Sequence, residues 1–216
     1  VRSCGSVAVA GMMLSKSGNH PPAMLEVALE KFPVRRPLQN QVQCLVRPLL
    51  PEDKPAFERF HSEVPETERF LIKHRYTDSA VFREWDQEFD FETSLPLVAF
   101  ADGRLVGHAT LRQRQGGWKR HIGMVGVLTH PDFRSIGLAG MLIGELVEVA
   151  KHCGLTRLEA EFNGEREVAI RTFLECGFDE LARLPDYLQD MNARYHDFVL
   201  MGMNLATDVE LAGAGD

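Results

Sequence analysis

The residues with the clearest chemistry lie at positions 130–142, where residue type and spacing favour binding of an anion through main-chain groups. An apolar run at 124–128 precedes them and an amphipathic run at 138–152 follows, so the order is strand, glycine-bearing turn and helix start. The first N–H groups of a helix have no partners within the helix and lie at the positive end of its dipole, so they attract phosphates. Gly137 and Gly140 leave room for such a group. The pattern therefore predicts a pyrophosphate-binding turn.

Two short motifs resemble the signatures of one enzyme family. Residues 134–139, Arg-Ser-Ile-Gly-Leu-Ala, fit the Arg/Gln-x-x-Gly-x-Gly/Ala signature of the GNAT acyl-CoA-dependent N-acetyltransferases. Ala169-Ile170 and residues 173–178, Phe-Leu-Glu-Cys-Gly-Phe, resemble the second signature, Ala-Ile followed by Tyr-Glu-x-x-Gly-Phe. The motifs stand in the order typical of the family, with a strand between them, and the resemblance extends over residues 43–205.

The resemblance implies that acetyl-CoA is the acyl donor, and the spacing of the cysteines and histidines predicts no metal. Main-chain amides of residues 135–140 would bind the pyrophosphate, and Arg134 would add a cation. Residues 127–129 would hold the pantetheine arm by main-chain bonds, in a slot where their strand separates from the strand at 157–162. An N–H near Leu128 would stabilise the developing oxyanion. The cofactor-binding set implied in this way is Val127, Leu128, Thr129, Arg134, Ser135, Ile136, Gly137, Leu138, Ala139, Gly140, Asn163 and Phe173.

Acyl transfer to an amine is helped by a base that deprotonates the amine and an acid that protonates the leaving thiolate. The acid in many family members is a tyrosine of the second signature, and the matching residue here is Phe173, which cannot donate a proton. Relatives often carry a carboxylate where this chain has Met124. Glu161 is the leading candidate for the base and Glu159 the second, because both lie on one face of the next predicted strand. A carboxylate on a solvated strand face is the alternative for both.

Tyr195 and His196 are further catalytic candidates from a polar cluster before the last predicted strand. A histidine can act as acid or base near neutral pH without a large pKa shift. A histidine that caps a turn or faces water is the alternative, and His108 and His121 in predicted strands are interpreted as structural. Asn163 could bond to the pantetheine, although turn formation explains its Asn-Gly pair equally well.

Hydrophobic patterning and the family resemblance together predict an α/β (α+β) fold, the GNAT fold, with a mixed, mostly antiparallel central sheet of about six to seven strands flanked by helices. The predicted strands cover residues 43–49, 97–101, 104–111, 121–128, 157–162, 178–184 and 197–205, and the predicted helices cover 54–62, 66–74, 80–89, 138–152 and 165–176. Asp102-Gly103 predicts a tight hairpin turn. Residues 1–40 are expected to be an N-terminal extension that could contain one helix at 21–32. Residues 41–206 are expected to form the acyltransferase domain and 207–216 a tail.

Composition narrows the classes of partner. The chain has 216 residues, of which 44% are hydrophobic, enough for a full core. A net charge of -7 argues against a general affinity for nucleic acid or an anionic membrane, because both need clustered cations. The cysteines lack the spacing of a metal site or disulfide framework, and no run is long enough to span a bilayer, so a cytoplasmic protein is expected. The expected partner is a small-molecule or peptide amine, and family members are often dimers.

Two functions of different classes follow from these residues. The first is an enzyme that transfers an acetyl group from acetyl-CoA to a primary amine by direct attack in a ternary complex. The second is a catalytically weak or inactive acyl-CoA sensor or scaffold, which Phe173 and the missing strand carboxylate favour. A dinucleotide-binding oxidoreductase is a distant third, because its Gly-x-Gly-x-x-Gly fingerprint is absent in the right context.

Overall fold

The computed structural model describes residues 24–65, 91, 93–114, 116–190 and 192–205. The helices predicted at residues 66–74 and 80–89 and the tail at 207–216 lie outside the described residues. None of the helices in the described part of the chain is long and apolar enough to cross a membrane.

The described strands form one mixed sheet. They are β1 (Val34–Pro37), β2 (Gln43–Pro48), β3 (Ser94–Ala101), β4 (Arg104–Arg112), β5 (Ile122–Thr129), β6 (Arg157–Asn163), β7 (Asp179–Gln189) and β8 (Tyr195–Asn204). Over the described residues the sheet has 8 strands in the order β1-β2-β3-β4-β5-β6-β8-β7, and only β5 and β6 pair in parallel. This confirms the predicted fold class, with a strand count slightly above the predicted one. The additional strand is β1, whose single valine, two arginines and proline give no alternating pattern.

Helices cover both faces of the sheet. They are α1 (Met24–Leu29), α2 (Lys54–Glu63), α3 (Leu138–His152) and α4 (Glu167–Glu175), with short 3-10 helices at Pro51–Asp53 and Pro131–Phe133. Residues of α1, α3 and α4 join the large core on one face. Phe57 and Phe60 of α2 pack with Leu128 on the other face. The two faces of β5 therefore meet different helices.

Helix α3 has the predicted bounds and the predicted buried face. Its buried apolar positions include Leu138, Leu142, Leu146 and Val149. Gly154 follows the helix with φ 72°. Its N–H donates to the carbonyl of Lys151 at 3.0 Å, and the N–H of Leu155 donates to the carbonyl of Ala150 at 3.0 Å. This pair of bonds is a Schellman motif, in which a glycine at this position satisfies the last carbonyls of a helix.

The hairpin between β3 and β4 also has the predicted turn. Asp102 and Gly103 have φ 49° and 75°. They connect the paired residues Ala101 and Arg104. Two consecutive positive φ values are the geometry that favours Asp-Gly in a two-residue hairpin loop.

Strands β5 and β6 separate toward their carboxyl ends. Their parallel pairing covers residues 122–124 of β5 and 157–159 of β6. Beyond it, β5 stays paired with β4 as far as Thr129, and β6 stays paired with β8 as far as Asn163. Each strand keeps its outer neighbour while the two part from one another. A wedge-shaped opening results, which we call the strand gap, between residues 125–129 and 160–163.

The segment before β2 is fixed to α3 by apolar packing and by ion pairs. Leu25, Leu29 and Phe32 join the main core. The buried carboxylate of Glu145 in α3 lies 2.8 Å from Nζ of Lys31 and 2.7 Å from Nε of Arg36. Residues 24–37, predicted as part of an extension, thus contribute one helix and one strand to the same core and sheet as the rest of the described chain.

Candidate active site

The loop between β5 and α3 presents the start of the helix without a side-chain cap. Ser135 and Gly137 have φ 58° and 84°, so the chain turns sharply twice before the helix begins at Leu138. Gly137 is the N-cap residue and has no side chain that could bond to the first N–H groups. The first main-chain bond of the helix runs from Met141 N to the Gly137 carbonyl at 3.0 Å. The N–H groups of Leu138, Ala139 and Gly140 are therefore placed as an anion site would need them.

Three neighbours surround this loop, which we call the phosphate loop (residues 134–140). Nη2 of Arg134 donates to the Thr129 carbonyl at 3.5 Å, which holds the guanidinium beside the end of β5. A Cβ placed on Gly140 would lie 3.6 Å from Sγ of Cys176. A Cβ placed on Gly137 would lie 3.5 Å from Nε2 of Gln39. The glycines thus let other parts of the chain approach the phosphate loop closely.

Main-chain groups of β5 alternate between β4 and the strand gap. The N–H of His130 donates to the Val106 carbonyl in the β4 strand at 2.8 Å. At the other end of β5, the N–H of Thr156 donates to the His121 carbonyl at 3.1 Å, on the β6 side. Even-numbered residues of β5 therefore direct their N–H and C=O groups to β4, and odd-numbered residues direct theirs to β6. Val127 and Thr129 face the strand gap.

This alternation indicates which of the main-chain donors near Leu128 face the strand gap. Leu128 pairs with His108 on β4, so its N–H is turned away from the strand gap. Its side chain is buried against α2. The main-chain donor that can reach a group in the strand gap is Val127 or Thr129, because their N–H groups lie on the open edge. Of residues 127–129, only these two can hold a pantetheine arm by main-chain bonds there.

Glu161 lies just beyond the last pair of β5 with β6. That last pair joins Met124 to Glu159, so Glu161 is at the start of the separated part of β6. It is half-buried, and it lies on the opposite sheet face from Phe162, which packs against Phe173 of α4. Gly126 of β5 is exposed on the same face as Glu161. A carboxylate and an open stretch of main chain thus border the strand gap on the face away from α3.

Glu159 has a more enclosed setting than Glu161. It is 7% exposed and lies within the paired part of β6. Its carboxylate oxygens are 3.7 Å from Nζ of Lys119 and 3.9 Å from Nε of Arg157. Glu159 therefore lies beside two cations in the paired part of β6, whereas Glu161 lies in the separated part.

His196 is held between two carboxylates. Its Nδ1 lies 2.8 Å from Oε1 of Glu165 and its Nε2 lies 3.1 Å from Oδ2 of Asp190. The bond to Asp190, joined by the one to Glu165, raises the pKa of His196 above its ordinary value. The N–H of Arg194 and the bond to His196 lower the pKa of Asp190. A charged imidazole can donate to both carboxylates, so this cluster ties the β6–α4 loop to the β7–β8 turn.

The His196→Gln variant should lose stability in a pH-dependent way. The raised pKa means that the stabilising contribution of His196 is fully present below its ordinary pKa and is lost as pH rises through the raised value. The contribution of Asp190 is lost on the acid side, as pH falls through its lowered pKa. Urea unfolding at about pH 5.5 and about pH 9 should show a larger difference between wild type and variant at the lower pH. Exposed His121→Gln is the control, and equal differences at both pH values would contradict the ion-pair account.

Of the remaining candidates, Tyr195 is exposed, and Asn163 and Phe173 are buried. Tyr195 is 63% exposed and, by the two-residue period of β8, projects from the face opposite to His196 and Glu161. Oδ1 of Asn163 accepts from the N–H of Glu165 at 2.9 Å, which is the turn-forming alternative for this residue. Phe173 is 3% exposed and lies 4.9 Å from the rings of Phe162 and Phe178. The position of the usual tyrosine is therefore part of the aromatic core.

His108, which the sequence predicts to be structural, is buried against α2. It is 3% exposed, and its ring lies 5.1 Å from His61 and 5.2 Å from Phe57 of α2. Burial, with the nearby His61 and Arg112, lowers the pKa of His108 well below its ordinary value. Among the described residues, no group of three or more His, Cys, Asp or Glu side chains is placed to hold a metal ion.

Comparison with known proteins identifies the family. The model of the acetyltransferase (GNAT) family matches residues 56–178, more than half of the chain. The matched region includes the strand gap and the phosphate loop. The protein therefore belongs to the acetyltransferase (GNAT) family. None of the curated proteins compared by sequence gives a significant match.

Solved structures share this fold at low sequence identity. A GNAT-family acetyltransferase from Streptococcus pneumoniae is 20% identical with a TM-score of 0.64, and the alignment covers 74% of this chain and 99% of that one. A ribosomal-protein-alanine N-acetyltransferase from Brucella melitensis is 24% identical with a TM-score of 0.64, covering 74% and 99%. A candidate acetyltransferase from Salmonella typhimurium, solved with its cofactor acetyl-CoA, is 21% identical with a TM-score of 0.64, covering 76% and 94%.

Proposed function

We propose that the protein is an N-acetyltransferase that transfers the acetyl group of acetyl-CoA to a primary amine by direct attack in a ternary complex. The observation that carries this proposal is the strand gap, which leads directly to the uncapped start of α3. The strand gap adjoins the anion site, just as the pantetheine arm adjoins the pyrophosphate in CoA. Family membership supports the same donor.

The donor would be held mainly by main-chain groups. The N–H groups of residues 138–140 receive the pyrophosphate, and Arg134 adds a positive charge beside it. Val127 and Thr129 offer N–H and C=O groups to the pantetheine amides along the strand gap. One of these N–H groups is available for the oxygen of the thioester carbonyl, where a single preorganised donor contributes roughly 3 kcal/mol to transition-state stabilisation.

The chemical step needs few side chains. The amine nitrogen attacks the carbonyl carbon of the thioester, the carbon–sulfur bond breaks, and the thiolate of CoA leaves. Glu161, beside the strand gap, accepts a proton from the ammonium form of the acceptor, directly or through water, so that the neutral amine can attack. Phe173 cannot protonate the thiolate of CoA. Water or the proton that the amine releases protonates it instead. Proximity and oxyanion stabilisation are sufficient for direct attack to proceed.

A second candidate function rests on a specific feature of the second signature. Phe173 lies in an aromatic core cluster where relatives often have a tyrosine. A protein that keeps the CoA site without an acid fits an acyl-CoA sensor or scaffold. The acceptor class, a small-molecule or peptide amine, and a homodimeric state are predictions from the family resemblance. The cytoplasmic location is a prediction from the spacing of the cysteines.

The proposed function predicts two results for the purified protein. Acetyl-CoA and CoA at about a hundred times their Kd should each stabilise the fold by roughly 2.7 kcal/mol, seen as a raised Tm, and NAD should not. Release of CoA thiol should follow with at least one amine in a panel of polyamines, amino acids and peptides. Because the Brucella melitensis relative is a ribosomal-protein-alanine N-acetyltransferase, the panel includes peptides with N-terminal alanine. A raised Tm without thiol release would favour the sensor, and no Tm change would refute both functions.

A further inference from the structure

The turn between β1 and β2 lies against the phosphate loop, although it precedes the region that the family model matches, residues 56–178. The N–H of Leu38 donates to the carbonyl of Val42 at 2.9 Å, and the N–H of Gln41 donates to the carbonyl of Leu38 at 2.9 Å. Oδ1 of Asn40 accepts from the N–H of Val42 at 3.2 Å. These bonds, together with the pairing of β1 to β2, hold the exposed residue at the tip of the turn, Gln39, in place.

The main chain of Gln39 orients one peptide of the phosphate loop. Its N–H donates to the carbonyl of Ile136 at 3.1 Å. In a planar trans peptide, the carbonyl of Ile136 and the N–H of Gly137 point in opposite directions. Because Gln39 holds that carbonyl on its own side, the N–H of Gly137 is turned away from the turn. Gln39 therefore sets the direction of an N–H group immediately before the helix start.

The side chain of Gln39 reaches the same place. A Cβ on Gly137 would lie 3.5 Å from Cγ, 3.5 Å from Nε2 and 3.6 Å from Cδ of Gln39, so the carboxamide lies along the glycine. Both Gln39 and Gly137 are exposed. A glutamine carboxamide has two N–H donors. At this position they lie beside the N–H groups that a phosphate would contact.

The segment that carries Gln39 is anchored to the same helix. Lys31 and Arg36 pair with the buried Glu145 of α3, and Lys31 also lies 2.6 Å from Oε2 of Glu148. Leu38 is buried in the main core beside the turn. The ion pairs and the packing of Leu38 therefore hold the β1–β2 turn against α3, and this keeps Gln39 in contact with Gly137.

We propose that Gln39 is a further binding residue for the phosphates of CoA. Its Nε2 donates to a phosphate oxygen at the start of α3, and its main-chain N–H fixes the peptide between Ile136 and Gly137. This inference rests on the proposed function, since it assigns an additional contact to the same donor site. The contact comes from the N-terminal segment, outside both sequence signatures.

The test compares Gln39→Ala with Gln43→Ala, an exposed glutamine of the same hairpin that pairs with Pro37. Kd is measured by calorimetry for CoA, for 3′-dephospho-CoA and for S-acetylpantetheine, which has no phosphate. Gln39→Ala should weaken CoA about ten-fold, the lower range for a hydrogen bond to a charged group. The Kd for S-acetylpantetheine should not change, and Gln43→Ala should match wild type. Gln39→Glu, with equal size and a negative charge, should weaken CoA more than Gln39→Ala.

Contacts to the pyrophosphate and to the 3′-phosphate of CoA would give different results. An equal loss with CoA and 3′-dephospho-CoA places the contact at the pyrophosphate, and a loss with CoA alone places it at the 3′-phosphate. An unchanged Kd for CoA in Gln39→Ala, or an equal loss with S-acetylpantetheine, would overturn the inference while wild-type binding leaves the proposed function standing. If wild type binds neither CoA nor 3′-dephospho-CoA, both are refuted.

Discussion

Glu161→Gln should lower kcat for acetyl transfer roughly 100-fold and leave the Kd for acetyl-CoA near its wild-type value, because a general base contributes at least this factor. Glutamine keeps the size of the side chain and its position at the start of the separated part of β6, but it cannot accept a proton. Saturating both substrates separates kcat from KM, and calorimetry gives the Kd.

Glu159→Gln is the matched control for this variant. It is the same substitution on the same face of the same strand, at a carboxylate that lies beside Lys119 and Arg157 within the paired region. It should lower the free energy of unfolding and leave kcat near its wild-type value. A large loss of kcat in Glu159→Gln with normal kcat in Glu161→Gln would exchange the two roles. Normal kcat in both variants would show that neither carboxylate is the base.

Gly137→Val should weaken CoA binding at least about 100-fold, since several phosphate contacts depend on one loop and each hydrogen bond to a charged group contributes about 1.5 kcal/mol or more. Gly137 has φ 84°, a conformation that a β-branched residue resists. The loop would have to leave this conformation, and the N–H groups at the start of α3 would lose their common direction. The side chain would also meet Gln39, which lies 3.5 Å from the Cβ position.

Gly117→Val is the control for backbone strain. Gly117 has φ 78°, and no described residue beyond its chain neighbours lies within 4 Å of its Cβ position. It lies in the β4–β5 loop, at the other end of β5 from the phosphate loop. Each variant should lose roughly 1–2 kcal/mol in the free energy of unfolding from the left-handed conformation. Only Gly137→Val should lose CoA binding, measured by calorimetry on folded protein. Equal binding in the two variants would mean that the phosphate loop is not the CoA site.

Local signals account for the parts of the fold that the sequence predicts well. Asp102-Gly103 favours the positive φ values that its two-residue turn requires. The apolar positions of α3 repeat on one face until Gly154 ends the helix. Strand β7 is longer than predicted, Asp179–Gln189 against 178–184, because most of its residues are exposed on both faces and Pro185 interrupts it. Helix α4 begins at Glu167 instead of Glu165, since Asn163 uses the intervening residues for a turn.

The candidate site depends on partners that no local pattern contains. The phosphate loop is predictable because strand, turn and helix start are consecutive, whereas Gln39 reaches it from about a hundred residues away in the chain. The carboxylates around His196 come from two different loops, so a motif search finds the histidine and not its ion pairs. The direction of the Leu128 N–H depends on hydrogen-bond register, which alternation of side chains does not reveal.

The separation of β5 from β6 also bears on how the sheet holds together. Residues 122–124 and 157–159 provide the strand pairing between one half of the sheet, β1 to β5, and the other half, β6 to β8. An extended chain of amides placed in the opening would bond to main-chain groups on both sides, as an inserted strand does. The acyl donor would then be a structural component of the sheet during each turnover. After CoA leaves, the two halves of the sheet would again be joined by the pairing of residues 122–124 with residues 157–159.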